Sequence, residues 1–88
     1  MYNIRPYHLQ QAADFEVTIK PSTKKNYKLD IFKDGRYLTS IGDRRYGDYI
    51  SHLEESGEEF ANKRRRLYWL RHQKDKGVRG FYARNILW

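Results

Sequence analysis

Apolar and polar residues alternate with a period of two early in the chain. Phe15, Val17 and Ile19 are separated by Glu16, Thr18 and Lys20, the signature of a half-buried strand. After the polar loop Pro21-Ser22-Thr23-Lys24-Lys25-Asn26, a second strand reads from Tyr27 to Lys33 and a third from Arg36 to Ile41. Asp34-Gly35 between them is a strong hairpin signal, because a type I′ turn needs positive φ at both central residues. A two-residue loop sets Phe32 opposite Tyr37, Ile31 opposite Leu38 and Leu29 opposite Ser40. The face expected to meet the helices then carries Tyr27, Leu29, Ile31 and Leu38.

Beyond Gly42-Asp43 the period lengthens. Asp48 is placed to cap a short helix from Tyr49 to about Glu55, with Ile50 and Leu53 three apart on one face. Ser56-Gly57-Glu58-Glu59 matches a capping box, with Ser56 as N-cap and Glu59 at the third helical position. It predicts a main helix over 57–75 that ends before Gly77. With Phe60 at zero and about 100° per residue, Leu67 falls at about 340°, Leu70 at about 280° and Tyr68 at about 80°, which predicts the core stripe. The apolar run from Gly80 to Trp88 reads as a short docked helix.

Residues 1–13 read as an N-terminal arm. Pro6 disfavours helix at Arg5, and Tyr7 to Ala13 leaves room for about two turns at most. Tyr2, Ile4, Tyr7 and Leu9 give the arm enough apolar weight to dock on the body or on a partner. The expected fold is α+β. A three-stranded antiparallel meander packs against a short helix, a long basic helix and a short C-terminal helix, in one domain over 14–88.

Composition narrows the function. The 88 residues allow one core, and an aromatic content of 16% compensates for few aliphatics. The absence of Cys excludes disulfides and thiolate metal sites, and fits a reducing compartment. No apolar run approaches the ~20 residues of a bilayer span. The N-terminus lacks the apolar core of a signal peptide, so a soluble protein without membrane insertion is expected.

The net charge of +7 is unevenly placed. Residues 60–88 hold nine Lys/Arg and one acid, Asp75, whereas residues 1–59 hold nine bases and ten acids. A near-neutral part is thus joined to a strongly cationic one, which attracts polyanions. On the predicted helix, Arg64 and Arg71 flank the core stripe and are expected to lie along the sheet with their heads paired to Asp30, Asp43 or Asp48. Lys63, Arg65, Arg66, Arg71 and Lys74 are the candidate phosphate contacts, extended by Arg79 and Arg84. Trp69 lies opposite the stripe among cations. It either stacks on bases or is covered by the final apolar segment.

Catalytic chemistry has no anchor in the sequence. His8, His52 and His72 are scattered with no acid at ligand spacing and read as lone surface histidines. No glycine-rich loop has phosphate-binding spacing, and helix capping accounts for Glu58 and Glu59. No catalytic residue, metal or cofactor is expected.

Three stretches occur together in order. They are Ser40-Ile41-Gly42-Asp43-Arg44-Arg45-Tyr46-Gly47-Asp48-Tyr49, then Arg64 to His72, then Gly80-Phe81-Tyr82-Ala83-Arg84-Asn85-Ile86-Leu87-Trp88. Across roughly residues 26–88 this pattern resembles a family of small basic domains of uncharacterised function encoded by large DNA viruses and phages. The resemblance implies a viral setting, in a virion or the interior of an infected host cell, and transfers no catalytic residue. The expected function is non-catalytic, largely sequence-independent binding of nucleic acid, DNA ahead of RNA, or of another polyanion. The rival is a minor capsid-associated structural protein whose basic surface meets acidic viral proteins while the arm clamps a neighbour.

Overall fold

The computed structural model describes residues 1–88. Its elements are α1 (Pro6–Asp14), β1 (Thr18–Pro21), β2 (Tyr27–Lys33), β3 (Arg36–Asp43), α2 (Tyr49–Ser56), α3 (Glu58–His72) and α4 (Val78–Tyr82). A π-helical segment, Ala83–Leu87, continues α4. The three strands form one antiparallel sheet in chain order, so the architecture is the α+β meander with helices that the pattern of the chain predicts.

The hairpin turn has the expected geometry, with φ of 52° at Asp34 and 78° at Gly35, and Phe32 faces Tyr37. Beyond that pair the register departs from expectation. A bulge between Ile31 and Phe32 sets Ile31 opposite Thr39 and Leu29 opposite Ile41, which turns Leu38 outward. The slip is favourable on both faces. It places Ile41 rather than Ser40 beside Leu29, and it brings Ser40 to donate a 2.6 Å hydrogen bond to Asp30. The first strand also begins later than its alternation predicts. Phe15 caps α1, and Glu16 turns with φ of 57° before the chain extends.

The core is small and draws on both ends of the chain. Val17, Ile19, Leu29, Ile31 and Ile41 meet Ala12 of α1 and Ala83, Ile86 and Leu87 of the last segment, with Tyr2, Ile4 and Trp88 packed around them. Residues 1–13 therefore dock on the body of their own chain. Pro6 opens α1 where its missing N–H has no helical partner to lose, and Arg5 stays extended before it.

The arm also buries His8, which contradicts its reading as a lone surface histidine. The Arg5 N–H donates to His8 Nδ1 at 3.1 Å, so the proton of the neutral ring sits on Nε2, 3.3 Å from the Tyr2 hydroxyl. Tyr2 in turn donates to Asp48 Oδ2, which also accepts from Lys28 Nζ at 3.0 Å. A buried relay of four side chains thus ties the arm, β2 and the start of α2 together. Burial lowers the pKa of His8, and the nearby Arg5 and Lys28 charges act the same way against the pull of Asp48 and Glu54. Burial alone would raise the Asp48 carboxyl. The Lys28 ammonium, the Tyr2 hydroxyl and the Ser51 N–H outweigh it and hold the pKa below the ordinary value.

Both shifts predict loss of stability on acidification. An unfolded His8 takes up a proton near its ordinary pKa of about 6.5, before the folded one does, so stability starts to fall below that pH. A second decline follows below about 3.9, as Asp48 protonates in the unfolded chain first. Thermal midpoints measured against pH should show both limbs, and His8→Gln should shrink the upper one. A flat profile between pH 7 and 5 would contradict a buried neutral His8.

Candidate nucleic-acid interface

The basic helix is packed differently from its predicted stripe. Ala61, Arg65, Tyr68 and His72, spaced four, three and four apart, are its inward-facing residues, at about 80° to 140° on the same wheel. Phe60, Leu67 and Leu70 are exposed, Leu70 to 58%. The helix is thus rolled by about a quarter turn from the apolar stripe. Two contacts account for the roll. The fully buried methyl of Ala61 lets α2 approach closely, and the Trp88 ring stacks on Tyr68 at 4.5 Å and 10°. The N-terminus of α3 differs too. Gly57, with φ of 90°, is the N-cap, and Ser56 ends α2, so no Ser56 capping box forms. The acids Glu58 and Glu59 still occupy the first turn, and Arg71 and His72 the last, as the helix dipole favours.

The roll redistributes the candidate cations. Arg65 turns inward, donating to the Trp88 backbone oxygen at 2.9 Å and the Tyr7 hydroxyl at 3.2 Å, with its guanidinium 3.5 Å from the Tyr49 ring centre. Arg79 donates to the Ser40 carbonyl and lies over the Tyr27 ring. Arg84 donates to the carbonyls of His72, the last residue of α3, and of Asp75 beyond it, and its head lies 5.8 Å from the Trp69 ring centre. These three arginines hold the fold together. Trp69 stays partly exposed beside Arg84, on the flank of α3.

Arg64 and Arg71 do not pair with acids of the sheet. Both are exposed, while Asp30 accepts from Ser40, Asp43 holds Arg45 and Asp48 holds Lys28. With Lys63, Arg66, Lys74 and Lys76 they form a set of six exposed cations. None of the six makes an ion pair, because the four ion pairs of the molecule involve other bases.

Between α3 and the turn Gly42–Gly47 lies a cleft of about 1340 Å³. Arg64, Leu67 and Arg71 of α3 form one wall, and Asp43, Arg45 and Tyr46 form the other. Lys76 and Arg79 from the segment after α3 complete a basic lining. Gly47 lets the turn close against α2, since a Cβ there would lie 2.7 Å from the His52 ring. A column of rings runs along the cleft in the order His72, Tyr68, Trp88, His52, with centres 4.3, 4.5 and 5.7 Å apart. His72 Nδ1 lies 2.8 Å from Asp75 Oδ2, a histidine–acid pair three residues apart that corrects the expectation of lone histidines without an acid at short spacing. Tyr46 is 65% exposed at the rim, with the Arg45 guanidinium 5.4 Å from its ring centre.

No family model, curated protein or solved structure matches this chain. The structure gathers no cluster of three His, Cys, Asp or Glu side chains, and no helix is long and apolar enough to cross a membrane. What it offers is a concave basic surface beside a convex basic ridge. Lys63, Arg66 and Lys74 occupy the ridge, and Arg64, Arg71 and Lys76 line the cleft. The cleft and Tyr46 escape the sequence reading because their parts come from three separate segments. Only the exposed turn Asp43-Arg44-Arg45-Tyr46-Gly47, with its aromatic among charges, points toward them.

Proposed function

We propose that this chain is a non-catalytic, largely sequence-tolerant nucleic-acid-binding module of viral type. The observation that supports this most is the set of six exposed, unpaired cations on and just after α3: Lys63, Arg64, Arg66, Arg71, Lys74 and Lys76. Unpaired surface cations on one side of a molecule of net charge +7 release counterions when they meet phosphates, and that release drives association. Asp75 is the only acid in that half, and it is engaged with His72. The capsid-clamp alternative is supported less well, since Tyr2, Ile4 and Tyr7 of the arm contact their own chain.

A salt titration tests the proposal. With about four to six phosphates engaged, log affinity should fall with log salt at a slope between roughly −3 and −5. Binding that does not weaken with salt, or no binding to DNA or RNA at low salt, would sink it.

A further inference from the structure

We infer that the cleft between α3 and the Gly42–Gly47 turn takes a single strand of nucleic acid, DNA or RNA, with its phosphates along the α3 wall and a base against Tyr46. This rests on the reading that the α3 side binds nucleic acid, and it places the strand in the cleft instead of on the convex ridge.

Size is the first argument. At about 1340 Å³ the cleft exceeds the roughly 300–1,000 Å³ that encloses a drug-sized ligand, and it suits a length of polymer. Charge is the second. Arg64 and Arg71 face the cleft from α3 and Lys76 from the segment beyond it, none of them in an ion pair, whereas Arg45 on the opposite turn is held by Asp43, so a strand in the cleft meets its free cations along the α3 wall. A duplex presents its phosphates on a stiff convex cylinder, whereas a single strand can follow a groove and turn its bases to a ring in the wall. The outer ridge of α3 is a poorer track, because the exposed Leu70 lies among its cations and no concave wall faces them.

Aromatic supply is the third argument. Single-strand channels combine a basic groove with rings on which bases stack, and tolerate sequence because every base has a π-face. Tyr46 stands at the rim with no ring packed on it, and the adjacent Arg45, held by Asp43, lies 5.4 Å from its ring centre and leaves the ring open to a base. Both faces of Tyr68 are already covered, by His72 and Trp88. The ring column therefore stiffens the wall and leaves stacking to Tyr46.

Fluorescence anisotropy on the full chain tests this. The probes are labelled oligothymidine and oligouridine of about 12 nucleotides, within the range of single-strand sites, and a duplex of the same length. At least one single strand should bind about tenfold or more tighter than the duplex. Arg64→Glu/Arg71→Glu, which reverses two cleft charges, should weaken that strand at least tenfold more than Lys63→Glu/Arg66→Glu, which reverses two ridge charges. Tyr46→Ala should weaken it by roughly five- to a hundredfold, the range set by one stacked base, without changing the salt slope. All five side chains are exposed, and circular dichroism confirms that each variant is folded. If the duplex binds as tightly, or the two double variants weaken binding equally, the strand is not in the cleft, although nucleic-acid binding stands. If none of the three probes binds at low salt, both readings fall.

Discussion

Asp48→Ala should remove roughly 3–5 kcal/mol of stability, the cost of stranding a buried partner charge. A chain of this length has about 4–13 kcal/mol in all, so much of the protein should unfold. The carboxylate is almost wholly buried, and three groups depend on it. Lys28 Nζ, itself buried, would lose its counter-charge, the Tyr2 hydroxyl would lose its acceptor, and the Ser51 N–H would lose the cap that starts α2. The cap alone is worth about 1 kcal/mol. Lys28→Met added to Asp48→Ala should recover part of the loss, because the cost lies in the unpaired ammonium more than in the pair. Urea midpoints for the two variants test this. A cost below about 1 kcal/mol for Asp48→Ala would mean that the relay does not exist as described.

Asp48 also shows how far local pattern reaches. Its position before Tyr49 predicts the cap, and α2 starts there, because capping needs only neighbours in sequence. The relay through Tyr2 and His8 joins residues some forty positions apart, and nothing local announces it. The sheet divides in the same way. Asp34-Gly35 specifies its turn, whereas the bulge that turns Leu38 outward depends on Ile41 and Ser40 each finding a better partner on β2. The candidate site was the least legible part. Charge asymmetry gives its side of the molecule, but the roll of α3 decides which cations are free. That roll follows from Ala61 and Trp88, neither of which belongs to the apolar stripe.

The roll makes a sharp distinction between two arginines of one helix. Arg65 belongs by sequence to the candidate phosphate contacts, yet its fork joins the Trp88 backbone oxygen, the Tyr7 hydroxyl and the Tyr49 ring. Arg71, which the sequence places both among those contacts and within reach of the sheet's acids, lies exposed at the cleft with no acidic partner. Arg65→Ala should therefore cost about 2–3 kcal/mol, since charge-assisted hydrogen bonds and a close cation–π contact are lost together. Arg65→Lys should recover little, because an ammonium cannot reproduce the planar fork. Arg71→Ala should change stability by less than about 0.5 kcal/mol. It should also make the salt slope of nucleic-acid binding shallower by about 0.7–0.9, the share of one phosphate. Thermal melts and salt-titrated binding on the same pair of variants separate the roles. If Arg65→Ala melts like the parent, the α3 register described above is wrong. If Arg71→Ala leaves the slope untouched, phosphates do not enter the cleft beside it.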